Sequence, residues 1–257
     1  MTLNVSLLNL LDQFYALIWP FLRISAFLVF ASFFSQRAVN LRVRFVIALT
    51  LTVFISMQID IPRIDPISFE GLSVIFHQVF IGFSMGLLMQ IVTAAIVVAG
   101  QSVSSSMGLS MANLIDPSLG NVPVLSQFFT ILGTLVFLST GGHLIVFGIL
   151  LESFRQFPIG QAFMNQALMG KMINWSAMMF VAGLLISLPV LITLLFVNIG
   201  LGFVARSAPS LNIFSVGFPA MIVAGFIILW LAVPSLIERI NWLWVQSFDQ
   251  MRNMLLN

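Results

Sequence analysis

Six apolar stretches, at residues 14–34, 45–61, 72–100, 124–151, 175–203 and 213–237, take up most of the chain. Each comes near the roughly 17–25 residues an α-helix needs to cross the hydrocarbon core of a bilayer. Charge decides against a water-soluble fold. Of 257 residues, 60% are apolar and only 7% charged, and the mean hydropathy is +1.11. Soluble domains run at roughly 45–50% apolar and about 25% charged. Ten basic and eight acidic side chains cannot furnish a surface facing water, so lipid or partner subunits must cover the rest. The expected class is an all-α integral membrane protein.

No soluble domain is appended to the six stretches, so the expected organisation is a single membrane domain over 1–257. The tail at 238–257 mixes Ile240, Trp242, Leu243, Trp244, Val245 and Phe248 with Arg239, Asp249 and Arg252. That pattern predicts an interfacial helix with an aromatic belt. Residues 1–15 carry no positive charge, include Asp12 and precede no small-residue cleavage site, so the first segment is expected to be retained. The net charge of +2 comes without any basic run, which leaves nucleic-acid binding no electrostatic footprint. With no cysteine, disulfides and thiolate metal sites are excluded.

These are not six plain rods. The third, fourth and fifth stretches exceed what a span needs and must tilt, break or protrude. Pro20, Pro189, Pro219 and Pro234 fall inside or at the ends of apolar runs, where each removes a helix hydrogen bond. Gly82 and Gly86 form a G-x-x-x-G pair, which lets two helix backbones approach closely; Gly200 and Gly202 suggest a second such patch. Charge gives a poor orientation. A simple six-span topology puts Arg37, Arg42, Arg44 and Arg206 on one side and Arg63, Arg155, Lys171, Arg239 and Arg252 on the other. Topology rules expect a clear excess on the cytoplasmic side.

Ionisable groups inside apolar stretches are the first places to look for chemistry. Arg23 lies in the first stretch. Its twelve Leu, Ile, Phe and Val neighbours offset it, contributing roughly −4 to −7 kcal/mol to insertion against about +3 for a central arginine. It can pair with a carboxylate, line a pore or serve structure alone. His77 and His143 are the two histidines, too few for a metal site without cysteine or a carboxylate pair; a proton relay or a structural hydrogen bond fits better. Glu152 and Arg155, three apart on one helical face, are expected to form a local pair. No phosphate loop, Gly-x-Ser-x-Gly elbow or acidic cluster is present, so neither an enzyme nor a bound cofactor is expected.

The segment at 101–123, QSVSSSMGLSMANLIDPSLGNVP, stands apart. It is too polar for a comfortable span, lacks Lys and Arg, and is longer than an ordinary connection. Met107, Leu109, Met111, Leu114 and Ile115 alternate there with small residues, and Asp116-Pro117 stops any helix. Methionine repacks around varied shapes, and a flap of this kind suits a hydrophobic constriction that blocks ions by excluding water. A re-entrant loop that merely packs explains the composition equally well.

Three blocks resemble the FliR family of flagellar export-gate membrane proteins, which is related to the injectisome subunits of type III secretion. They are SMGLSMANLIDP at 106–117, PVLSQFFTILGTLVFLSTGGHLIVFGILLESFRQFPIG at 123–160, and GLGFVARSAPSLNIFSVGFP at 200–219. The most specific is Arg-Ser-Ala-Pro-x-x-Asn-x-Phe-x-x-Gly-x-Pro, from Arg206 to Pro219. The resemblance runs from the Arg23 segment to the last apolar stretch. It implies about six long, partly broken helical stretches arranged as hairpins within a helical hetero-oligomeric assembly. It implies one copy bound to several copies each of FliP and FliQ, in contact with FlhB, in the bacterial inner membrane at the flagellar basal body. Together they would form the pore through which unfolded flagellar proteins enter export. It further implies a plug at 106–122 that closes the pore beside a methionine ring of FliP, with Met107, Leu109, Met111, Leu114 and Ile115 as its apolar contacts. Arg206, Ser207, Pro209 and Asn212 would hold inter-subunit contacts, and Glu152 with Arg155 a structural pair. The competing reading is a stand-alone small-molecule or ion transporter, which would need convergent intramembrane polar groups and favours an internal repeat. No strong repeat is present.

Overall fold

The computed structural model describes residues 2–35, 39–62, 64–109, 124–161, 166–207 and 213–256. Among them are eight helices: α1 (Thr2–Phe30), α2 (Ser32–Ser35), α3 (Leu41–Ser56), α4 (Phe69–Ser106), α5 (Val124–Ser139), α6 (Gly142–Gln156), α7 (Gln166–Ser207) and α8 (Ile213–Leu256). No strand occurs among the described residues. The protein is an all-α membrane protein, as its composition requires. Three helices, α4, α7 and α8, are long and apolar enough to cross a bilayer, and four spans result if α5 and α6 together make a broken one.

Local chemistry sets the helix limits. Ser68 starts α4: its hydroxyl accepts from the Gly71 N–H at 2.9 Å, while Asp65 Oδ1 takes the Ile67 N–H at 3.0 Å. The first bond satisfies a first-turn donor that has no partner inside the helix, and the second closes the turn that leads into it. The fourth apolar stretch breaks after Ser139 because Gly141 turns left-handed, with φ of +69°. The third stretch runs further than hydropathy suggests. Residues 101–106, expected as the start of a loop, are the last turns of α4. Ser102 and Ser106 donate their hydroxyls to the carbonyls of Val98 (2.9 Å) and Ser102 (3.0 Å), so their polarity is absorbed by the helix itself. Residues 238–257, set apart in the sequence as an interfacial tail, continue α8 without interruption to Leu256. Ile240, Leu243, Trp244, Phe248 and Met251 are buried there.

By contacts the chain divides into two compact units. The first comprises Met1–Ile91, Gly141–Ser176 and Gln246–Asn257; the second comprises Val92–Thr140 and Ala177–Val245. In the first unit α4 lies directly on α1. A Cβ on Gly82 would run into the Arg23 carbonyl oxygen, and one on Gly86 would meet Phe30 Cβ at 2.7 Å and Ala31 N at 2.9 Å. The G-x-x-x-G pair is thus a close intramolecular crossing, where only a missing side chain lets the backbones touch. Trp19, Ile24, Phe27, Ile81 and Met85 are buried around it.

The second unit repeats the device with other residues. Gly100 of α4 faces Ser126 of α5, whose Cα is 2.6 Å from where a Cβ would stand. Gly183 of α7 lies against Ala95 and Val98 of α4. Trp244 of α8 donates its indole N–H to the Gly133 carbonyl at 3.2 Å, with its ring 4.8 Å from Phe137. Gly200 and Gly202, expected to mark another close approach, have nothing within 4 Å, because both lie on the exposed part of α7.

Candidate functional site

Arg23 is the most heavily engaged polar side chain described. Its place follows from the α1–α4 crossing: Gly82 admits the Arg23 backbone, and Gln78, one turn earlier on α4, comes beside the guanidinium. Nε donates to Gln78 Oε1 at 2.8 Å, Nη1 to the Ser153 carbonyl at 2.8 Å and its hydroxyl at 3.2 Å, and Nη2 to the Phe157 carbonyl at 2.8 Å. The guanidinium carbon stands 4.0 Å from the centre of the Phe154 ring. Arg23 is fully buried. None of these partners is a carboxylate. Ser153 and Phe157 lie at the C-terminal end of α6, which carries the negative end of the helix dipole, roughly half a charge; the Ser153 carbonyl there also accepts the Phe157 N–H at 3.0 Å. Arg23 is therefore a cap donated by one helix to the end of another, and it faces no pore.

A second arginine meets a carbonyl in a different way. Pro189 lies inside α7 and has no N–H, so the carbonyl four residues earlier, on Leu185, loses its helical donor. Arg239 of α8 supplies the replacement, Nη1 to Leu185 O at 2.7 Å. This is how an apolar environment tolerates a helix proline: a neighbouring helix satisfies the freed group.

At the end of α4, Gly108 turns left-handed with φ of +76°. Met107 is fully buried, and its terminal methyl lies where a Cβ on Gly225 of α8 would be. Leu109 follows, half-buried. Met111, Leu114 and Ile115 lie outside the described residues, as do Pro209 and Asn212. Arg206 and Ser207 are exposed in the last turn of α7, and the Ser207 hydroxyl donates back to the Phe203 carbonyl at 3.0 Å. Glu152 and Arg155 are both exposed on α6 and do not meet in an ion pair. His77 is on α4 and His143 on α6; the buried Nδ1 of each has no hydrogen-bond partner among the described residues. Among the described residues no cluster of three or more His, Asp or Glu side chains could hold a metal ion.

Hydropathy and spacing had pointed to Arg23 but not to its partners, which are neutral. The pairing of Pro189 with Arg239 was missed. Its visible trace was a helix-interior proline together with an unassigned arginine at the end of an apolar run.

The profile of the family described as bacterial export proteins, family 1, matches residues 14–247. A flagellar biosynthetic protein FliR of Pectobacterium carotovorum subsp. carotovorum is 34% identical, covering 97% of this chain and 95% of its own length. The FliR of Bacillus subtilis (strain 168) is 32% identical, over 96% and 97%. That of Escherichia coli (strain K12) is 31% identical, over 92% and 91%.

Proposed function

This chain belongs to the FliR family of bacterial export proteins, and on that footing we propose that it forms, with FliP and FliQ, the pore through which unfolded flagellar proteins enter export. It is a flagellar export component, not an enzyme, and it belongs to the membrane-associated flagellar apparatus. In the finer reading it is one membrane domain of the bacterial inner membrane, bound to several copies each of FliP and FliQ and in contact with FlhB. Residues 106–122 form the plug, and Met107, Leu109, Met111, Leu114 and Ile115 seal it against water and ions. Arg206, Ser207, Pro209 and Asn212 hold neighbouring subunits.

One observation carries the reading of an assembled subunit over that of a lone transporter. The most apolar stretch of α4 is 61% buried, but those of α7 and α8 only 33% and 22%, so the last two need outside cover. On α7, Ile173, Phe180, Leu184, Ile192, Phe196 and Phe203 are exposed along one stripe at helical spacing. The 30 helical steps from first to last rise by about 45 Å. Hydrocarbon about 30 Å thick could cover that length only at a tilt of about 48°, beyond the roughly 0–40° that spanning helices adopt. Part of the stripe therefore needs protein against it.

Native mass spectrometry of the tagged chain, expressed with its neighbouring membrane subunits, tests this. The expected species holds a single copy with several FliP-like and FliQ-like chains. A stable monomer or simple homodimer would return the transporter to first place.

A further inference from the structure

We propose that the groove between α1 and α3 holds one acyl chain of an anionic phospholipid, with the lipid phosphate at Arg42. The groove encloses about 420 Å³ and is walled by Phe14, Leu17 and Phe21 of α1 and by Phe45, Leu49 and Val53 of α3. Its one polar residue, Thr52, spends its hydroxyl on the Ala48 carbonyl at 2.7 Å, so the wall offers an apolar occupant no unmet hydrogen bond. It is also open: Phe14 is 61% exposed, Phe45 55% and Leu49 49%. Three large side chains left this bare beside a cavity mark a surface that is covered in use.

Charge identifies the cover. The Phe21 and Phe45 rings meet edge to face, 5.6 Å apart, at the end of the groove nearest the start of α3. Arg42 lies one turn further on, three residues before Phe45 and seven before Leu49, and thus on the groove face of the helix. Its guanidinium makes no hydrogen bond among the described residues. The first turn of α3 contains no acidic residue, so Arg42 stands at the positive end of its helix with no acidic side chain in that turn. Cations are unfavourable there and anions favourable. A phosphate answers both conditions.

The dimensions agree. From Arg42 to Val53 the helix rises about 16 Å. One leaflet of hydrocarbon is about 15 Å deep, half of the whole core. A phosphate at Arg42 therefore places the end of an acyl chain near Val53. A whole partner helix, about 10–12 Å across with its side chains, does not fit the same cavity.

The inference does not rest on the export-gate reading. The test uses the full chain with whatever subunits co-purify, and equal amounts of dioleoylphosphatidylglycerol and dioleoylphosphatidylcholine, read by native mass spectrometry. The anionic lipid should be retained about fivefold over the zwitterionic one, the effect of one arginine near a headgroup. Arg42→Gln should bring that ratio close to one, and Arg42→Lys should keep it. Leu49→Trp, which fills the groove, should remove bound lipid of both kinds. Val53→Phe does the same from the other end if the tryptophan variant fails to fold. Equal retention of the two lipids by the unaltered chain overturns the proposal, as does retention of lipid by a folded groove-filled variant. In the membrane-assembled complex, benzoylphenylalanine in place of Leu49 should cross-link to lipid. A cross-link to a protein chain, or none, overturns it too.

Discussion

Arg23 shows how one residue can be placed by another that has no side chain. Gly82 lets α1 touch α4, and the contact carries Arg23 to Gln78 and to the end of α6. The guanidinium is a planar fork, and here it reaches Gln78, Ser153 and Phe157 at once. An ammonium is a point charge on a flexible stem and cannot reproduce that spread. Arg23→Leu strands the buried Oε1 of Gln78, at a cost of about 1–3 kcal/mol, and removes the part-buried bond to the Phe157 carbonyl. Chemical denaturation in detergent should show a loss of that size, with Arg23→Lys recovering only part of it. Equal stability of all three proteins would mean that the cap contributes nothing. Sequence reading sought a carboxylate or a pore for this arginine, because a buried charge is expected to find an opposite one. The countercharge is spread over the carbonyls of a helix end 130 residues away, and no residue type announces it.

Among the elements, α7 and α8 carry the clearest compensation. The carbonyl freed by Pro189 and the arginine that answers it lie 54 residues apart. Arg239→Leu should weaken the α7–α8 contact, measured as a fall in thermal stability, because Leu185 O then has no donor. Pro189→Ala gives that carbonyl its own helical N–H again, and in that background the same arginine substitution should cost markedly less. Additive losses in the two backgrounds would remove the link. The elements themselves were largely legible: three of the six apolar stretches became long helices, and Gly82 and Gly86 marked a true crossing. A break was one of the outcomes expected of the over-long fourth stretch, but its place at Gly141 was not legible, since Ser139, Thr140 and Gly141 are nearly neutral in hydropathy and interrupt no run. Nor was the continuity of α8. Its last turns look amphipathic and therefore separable, yet helical bonding does not stop where the apolar content falls.

At the scale of the whole molecule, the proposed function lies between chains. Met107 is the described anchor of the proposed plug, buried against Gly225 at the end of α4. Exchanging Met107, Met111, Leu114 and Ile115 together for serine should let water into the closed gate, since a constriction that blocks by dewetting needs apolar walls. Ion flux through reconstituted complexes should rise from background to a conductance that is readily measured; tight complexes would remove the plug assignment. The composition foretold a protein needing outside cover, but only the uninterrupted length of α7 shows that lipid alone falls short. That length has a consequence for the life of the chain before assembly. Insertion into the bilayer as the chain is made hides about two-thirds of the α7 stripe if the helix stands upright, and about seven-eighths at a tilt of about 40°. The remainder waits in water, a target for aggregation and for proteases. In the proposed assembly each copy thus passes through a vulnerable interval after synthesis, which a neighbouring subunit would end by covering the surface that lipid leaves bare.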